Sequence, residues 1–151
     1  MPDAFELLTN DHREIEALFQ RYAAESDDQS AHQIFERLAV HSAMEHRVLY
    51  PEVRRLVDGG DDLVDRAEAE HSAAQELIAS ALATPPPDLR PLVNELRNEV
   101  RTHVQFEETE LFPSTADSGA DLEQLGTAME QVRDELTENG SASSVRTRRN
   151  V

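Results

Sequence analysis

The chain has 151 residues, with 31 Asp and Glu against 14 Lys and Arg and a formal net charge of −17 at pH 7. That length suits one domain with a single sizeable core, and so acidic a surface attracts cations while excluding nucleic acid and anionic membranes, whose phosphates reward clustered Lys and Arg. Cysteine is absent, which excludes disulfides, thiolate zinc sites and cysteine-held iron–sulfur clusters.

Asp3 with Glu6 forms a capping pattern ahead of Phe5, Leu8, His12, Ile15, Phe19 and Tyr22. Their helical spacing predicts a first helix over about 3–25. The polar break Ser26-Asp27-Asp28-Gln29 leads into a second stripe of Ile34, Leu38, His41, Glu45, Val48 and Leu49. Pro51 either kinks this helix, which then continues to about Asp58, or ends it, because proline lacks a backbone donor and crowds the preceding turn. Gly59-Gly60 closes it in both cases.

Asp61 or Asp62 is positioned to cap a third helix, striped by Val64, Ala67, His71, Ala74, Ile78 and Leu82 and stopped by Thr84-Pro85-Pro86-Pro87. The fourth stripe, Leu92, Leu96, Val100, His103, Phe106, Glu107 and Leu111, runs up to Pro113. Long helices joined by short loops predict an all-α fold, an up-down-up-down antiparallel four-helix bundle over residues 1–113. A loop and a short additional helix, about 120–137, occupy 114–137 through Leu122, Leu125, Met129, Val132 and Leu136, with Gly126 weakening it. Residues 138–151 read as a flexible Arg-containing tail with nothing periodic to bury. No segment resembles a signal peptide or approaches the ~18 apolar residues of a membrane span, so a cytoplasmic protein is expected.

One phrase is written twice. His41-Ser-Ala-Met-Glu45-His-Arg-Val-Leu49-Tyr50-Pro51 and His103-Val-Gln-Phe-Glu107-Glu-Thr-Glu-Leu111-Phe112-Pro113 both read H-x3-E-x3-L-[YF]-P, and a lone His precedes each copy, His12 and His71. On a helix, positions i and i+4 lie about 40° apart, so His41 with Glu45, and His103 with Glu107, project from common apolar faces. A single inward His is most often a hydrogen-bonded core residue. Four His and two Glu together are not, since buried carboxylates need partners of opposite charge. Two metals sharing two bridging carboxylates, with two imidazoles each, satisfy all six. Imidazole-rich, carboxylate-bridged ligation suits iron without excluding manganese or zinc, and leaves room at each metal for a small exogenous molecule.

The order H…HxxxE…H…HxxxE, with Leu49-Tyr50-Pro51 and Leu111-Phe112-Pro113 ending the second and fourth helices, resembles the hemerythrin-like HHE cation-binding domain over about residues 3–113. The resemblance implies two iron ions with an oxo or hydroxo bridge, held by His12, His41, His71 and His103 and bridged by Glu45 and Glu107. Oxygen-carrying hemerythrins have a second His one turn after the helix-3 His. Gln75 stands there in this chain, which opposes reversible oxygen carriage. The six-ligand pattern is more similar to actinobacterial hemerythrin-like proteins, which implies catalase-like decomposition of hydrogen peroxide or consumption of nitric oxide (NO-peroxidase-like) by a di-iron oxidoreductase. Reversible O2 or NO binding or sensing, and iron storage or donation, are the alternatives. The expected partners are thus small molecules, H2O2, NO or O2; the oligomeric state is left open.

In the catalase-like relatives a Tyr directly before the Pro lies beside the di-iron centre, and Tyr50 occupies the matching place as a candidate catalytic residue. An ideal α-helix puts it about 140° from Glu45, but Pro51 permits a π-bulge or tightened turn that swings it inward. The alternative is a core aromatic with its hydroxyl at the bundle surface. Phe112, its counterpart, reads as core. Glu16 and Gln75 follow the lone His residues by four and Glu110 lies one turn past Glu107; each is either a further ligand, a partner for an imidazole N–H or, more commonly, solvated. Asp11 and Glu70 directly precede the lone His residues, with imidazole-partner and solvated readings equally open. His46 and His32 read as surface residues.

Overall fold

Each helix of the bundle starts and stops for a local reason. In the computed structural model, which describes backbone residues 2–83 and 85–149 and side chains up to 138, Asp3 caps α1 (Ala4–Glu25), its carboxylate accepting from the Glu6 amide at 2.9 Å. Ser26 ends that helix in the left-handed region, φ 54°, its amide donating to the Tyr22 carbonyl. Asp27 then caps α2 (Asp28–Met44) by accepting from the Ser30 amide at 2.7 Å. Such a side-chain cap satisfies an amide that the first turn leaves unpaired.

Pro51 does not end the second rod. After α2 comes a single π-turn, Glu45–Leu49, in which the Tyr50 amide donates to the Glu45 carbonyl, and the rod continues as α3 (Tyr50–Leu56). The wide turn gives the proline ring room and absorbs its missing donor. The fourth rod repeats the device. It runs as α5 (Arg90–Phe106), a π-turn Glu107–Leu111 with the Phe112 amide donating to the Glu107 carbonyl, and α6 (Phe112–Asp117). The expected stop at Pro113 is therefore corrected: the rod passes the proline and ends at Asp117. α4 (Gly60–Ala83) begins before Asp61 and Asp62, which stand in its first turn rather than at its cap. Acidic groups there still favour the positive end of the helix dipole.

α1 packs on α2 and α4 on α5, while α7 (Leu122–Arg149) crosses α1 and α2. Gly126 belongs to that crossing. A Cβ at this position would lie 2.7 Å from the Pro2 carbonyl oxygen and 3.0 Å from the Ala4 nitrogen, so the residue that weakens the helix locally lets two backbones approach. Helix α7 continues past the expected end at 137 to Arg149, through most of the segment 138–151 read as a flexible tail; side chains from 139 onward, and residues 150 and 151, lie outside the described residues. All regular structure among the described residues is helical, and no described helix is long and apolar enough to cross a membrane.

The apolar core is divided. One cluster gathers Leu8, Met44, Leu49, Tyr50, Val53, Val64, Phe106, Leu111 and Met129, and another gathers Ile15, Phe19, Ile34, Leu38, Val93 and Leu96. On every bundle rod a histidine separates the two: His12, His41, His71 and His103. The interior thus carries a polar layer between two apolar ones.

Candidate metal centre

The polar layer is nearly dry. Glu45 and Glu107 are fully buried, and His12, His41 and His103 are buried around them, with His71 half-buried. Glu45 Oε1 lies 3.2 Å from His41 Nε2, 3.1 Å from His71 Nε2 and 3.7 Å from His103 Nε2. Glu107 Oε1 lies 3.3 Å from His12 Nε2 and 3.4 Å from His103 Nε2. The ligating atoms form two overlapping groups, His12, His41, Glu45 and Glu107, and Glu45, His71 and His103. All six residues singled out from the sequence are brought together.

The outer nitrogens of three rings are tied back. His12 Nδ1 donates to Glu108 Oε2 at 2.8 Å, His41 Nδ1 to Asp11 Oδ2 at 3.0 Å and His103 Nδ1 to Glu70 Oε1 at 3.0 Å. A neutral imidazole whose Nδ1 donates has a lone pair at Nε2. Those lone pairs face carboxylate oxygens, so the inner nitrogens of these three rings and the oxygens opposite them are all acceptors. His12 Nε2, His41 Nε2, Glu45 Oε2 and Glu107 Oε1 are buried without any hydrogen-bond partner. Either protons or cations must fill such a site.

Without a metal, protons do so. Burial opposes charge on His41, yet the nearby carboxylates, Glu45 above all, outweigh it and push its pKa up to about 10. His103 is pushed up to about 12 in the same way, against burial, by Glu107, Glu45 and Glu70. Burial would raise Glu45, but His41 and its hydrogen bonds hold it well below the usual carboxylate range. A divalent or trivalent ion replaces those protons with charge at the same place, and four imidazole nitrogens with two carboxylates are a borderline-soft donor set of the kind iron, manganese and zinc accept. The residues fit a metal pair.

The π-turns aim the next residues. An i to i+5 turn stacks Tyr50 over Glu45 and Phe112 over Glu107. Tyr50 is 1% exposed, its hydroxyl donating to Glu107 Oε2 at 2.8 Å and lying 3.2 Å from His71 Nε2 and 3.4 Å from His103 Nε2. The hydroxyl is therefore inside the centre and not at the bundle surface. Burial first, and then Glu45 and Glu107, raise its pKa well above that of a free phenol, so it keeps its proton. Phe112 is apolar core, stacked on Phe5 at 4.5 Å and on His12 at 6.1 Å between ring centroids.

Of the open candidates, Asp11 and Glu70 partner the imidazoles of His41 and His103, each reaching across to the other phrase member rather than to its own neighbour. Asp11 is itself gripped by Arg37 at 2.6 Å; burial would raise its carboxyl, but His41 and Arg37 hold it below the usual range. Glu16 turns away to Arg97 at 2.6 Å and Arg101 at 2.5 Å, and Glu110 pairs with Arg66 at 3.2 Å. Gln75 is exposed. His46 bonds Glu68 and His32 bonds the Asp28 carbonyl, both on the surface. Sequence reasoning missed Glu108. Its only signal was the Glu-Glu pair in the second phrase, where the first has Glu45-His46.

A family model, the hemerythrin HHE cation binding domain, matches residues 3–114. A crystal structure of a hemerythrin HHE cation binding domain-containing protein from Mycobacterium kansasii superposes with a TM-score of 0.71 at 25% identity, over 89% of this chain and 90% of that one. A DNA nickase of Nostoc sp. (strain PCC 7120 / SAG 25.82 / UTEX 2576) is 31% identical over 115 residues, which are 71% of this chain and 32% of the relative. The chain thus spans about a third of that curated relative's length. With the matched bundle, the doubled phrase and the six converging donors, the chain belongs to the hemerythrin HHE cation-binding domain family.

Proposed function

We propose that this metal-binding protein is a non-haem di-iron protein that disproportionates hydrogen peroxide in the cytoplasm, with neither nucleic acid nor membrane as a partner. The observation that supports it is the Tyr50 hydroxyl, a protonated donor 2.8 Å from Glu107 Oε2 and beside the inner nitrogens of His71 and His103. Two irons held by His12, His41, His71 and His103 and bridged by Glu45 and Glu107 would supply two-electron redox chemistry. Disproportionation turns two peroxides into two waters and one dioxygen, so no external reductant is needed.

The chain's own part is to orient and to donate. Asp11, Glu70 and Glu108 fix three imidazoles with Nε2 turned inward, as metal-bound histidines require. Tyr50 Oη, holding its proton at neutral pH, can shift its hydrogen bond from Glu107 to an oxygen of peroxide bound beside it, a donor preorganised in a water-poor interior. Burial of the carboxylates excludes bulk water from the reacting atoms.

Nitric oxide consumption is the second reading, favoured by the largely apolar walls of the cavity that leads to His71 and His103, which pass small uncharged molecules. DNA nicking, named for the Nostoc protein, is not carried over, since the match covers 32% of that protein and a charge of −17 opposes a phosphate backbone. The test is oxygen evolution from peroxide by iron-loaded wild type and by Glu45→Ala. Sustained turnover that Glu45→Ala loses supports the proposal; negligible turnover in the fully loaded wild type sinks it.

A further inference from the structure

The bundle is open on one side. α2 and α4 scarcely touch, and between them lies a cavity of about 240 Å3 whose inner end is formed by His12, His41, His71 and His103. Its walls include Ile15, Phe35, Leu38, Ala74, Ile78 and Val100. Leu82, 55% exposed, stands on its rim. Along α4 the cavity follows the chain from His71 to Leu82, three turns or roughly 16 Å at 1.5 Å per residue. It is a passage with length, not a rounded chamber.

Hydrogen peroxide has no use for such walls. An apolar cavity of ~150 Å3 takes up benzene, so this one has room for roughly eight to ten carbons, and its elongation suits a chain better than a ring. Apolar walls reward an alkyl group in proportion to the surface it withdraws from water. The charge at the inner end selects the head. Glu70 and Glu99 line the cavity, and in the metal-free protein Glu45 and Glu107 are balanced by protonated His41 and His103, so there a carboxylate head meets the repulsion of Glu70 and Glu99. A small neutral head does not, and Ser42 and Gln75 in the wall can hydrogen-bond it.

We propose that this cavity binds a medium-chain neutral amphiphile, an alkyl hydroperoxide or the corresponding alcohol, with its chain between α2 and α4 and its oxygen head toward His71 and His103. The hydroperoxide identity of the head rests on the peroxide reading above; binding of the chain does not. Calorimetric titration of 1-octanol and of octanoate into metal-free and zinc-loaded protein separates the two. Saturable binding of one octanol per chain in both forms is expected, with octanoate at least tenfold weaker in the metal-free form, where no metal ion offers its carboxylate a place to coordinate. Ile78→Trp, which fills the passage seven residues from His71, should abolish octanol binding while zinc content and helicity stay at wild-type levels. Ala79→Phe serves the same purpose should the first variant fail to fold. Absence of saturable octanol binding, equal binding of octanoate by the metal-free form, or wild-type binding by a folded, filled variant overturns the proposal. Octanol binding by a protein without peroxide turnover would refute only the function proposed above, and turnover without octanol binding only this inference.

Discussion

Replacing Tyr50 by Phe removes one oxygen from the centre and leaves the ring that fills the space between α3 and the fourth rod. The lost atom donates at 2.8 Å to Glu107 Oε2, a carboxylate with no solvent access. A hydrogen bond to a charged group contributes about 1.5–3 kcal/mol, and if peroxide takes over that donor in the reaction, the same amount is withdrawn from the transition state. At 1.36 kcal/mol per decade, turnover falls about 10- to 150-fold. The assay is oxygen release from peroxide at equal iron content, with thermal unfolding run beside it, and metal binding should survive because none of the six donors is touched. Phe112→Tyr is the mirror control. Its ring is stacked against Phe5 and His12, and a hydroxyl added there should not restore turnover to Tyr50→Phe. Turnover of Tyr50→Phe within twofold of wild type at full iron occupancy would refute the assignment of a donor role to this phenol.

Four further outcomes can be measured without peroxide. Asp11→Asn and Glu108→Gln leave His41 and His12 poorly anchored, and each should weaken metal affinity by about 10- to 100-fold in competition with a chelator, whereas Glu110→Gln, on a residue paired with Arg66, should not. Uptake of metal at pH 7 should release about two protons, one each from His41 and His103, since metal displaces protons from its ligands; calorimetry in buffers of different ionisation enthalpy reads this, and no release would contradict the raised pKa values. Because those histidines titrate at about 10 and about 12 in the folded chain, above their unfolded value, their stabilisation of the metal-free protein is complete below about pH 6.5 and is lost as pH rises through the folded values. Gly126→Ala should lower stability by about 1–3 kcal/mol, as overpacking does, through the approach of its Cβ to the Pro2 carbonyl, and thermal unfolding should show it without a change in metal content.

The bundle and its six donors were legible because both follow from helical period. A stripe that recurs at three and four residues faces inward whatever it packs on, and H-x3-E places two ligands on one such stripe. The cap Asp3 was marked by its residue type with Glu6 three positions on, whereas Asp27 read only as part of a polar break. What lay beyond reach depends on partners in space. Glu16 stands one turn from His12 on the same helix, yet Arg97 and Arg101 of the fourth rod draw it outward. Glu108 drew no reading because an α-helix turns it about 100° from Glu107; the π-turn and the adjoining α1 bring it onto His12. Pro113 looked like a terminus for the same reason. Proline ends a helix only where the preceding turn cannot widen.

The duplication that makes the centre symmetric also shows where it is not. His12 answers to His71, His41 to His103, and Glu45 to Glu107, with Asp11 and Glu70 anchoring the two phrase histidines alike. Symmetry fails in two places, and both concern His71. Glu108, which anchors His12, has His46 as its counterpart, an exposed side chain bonded to Glu68, so among the described contacts the outer nitrogen of His71 lacks a carboxylate. Phe112, which stacks on His12, has Tyr50 as its counterpart, and the Tyr50 hydroxyl stands 3.2 Å from the inner nitrogen of His71. One half of the centre is therefore anchored and apolar, and the other is looser and carries a proton donor. His71 is also the least buried of the four histidines and faces the cavity between α2 and α4. All four histidines border the cavity, and on the proposed reading the half that carries the Tyr50 donor and the least buried histidine is the half equipped to receive an oxygen-bearing molecule.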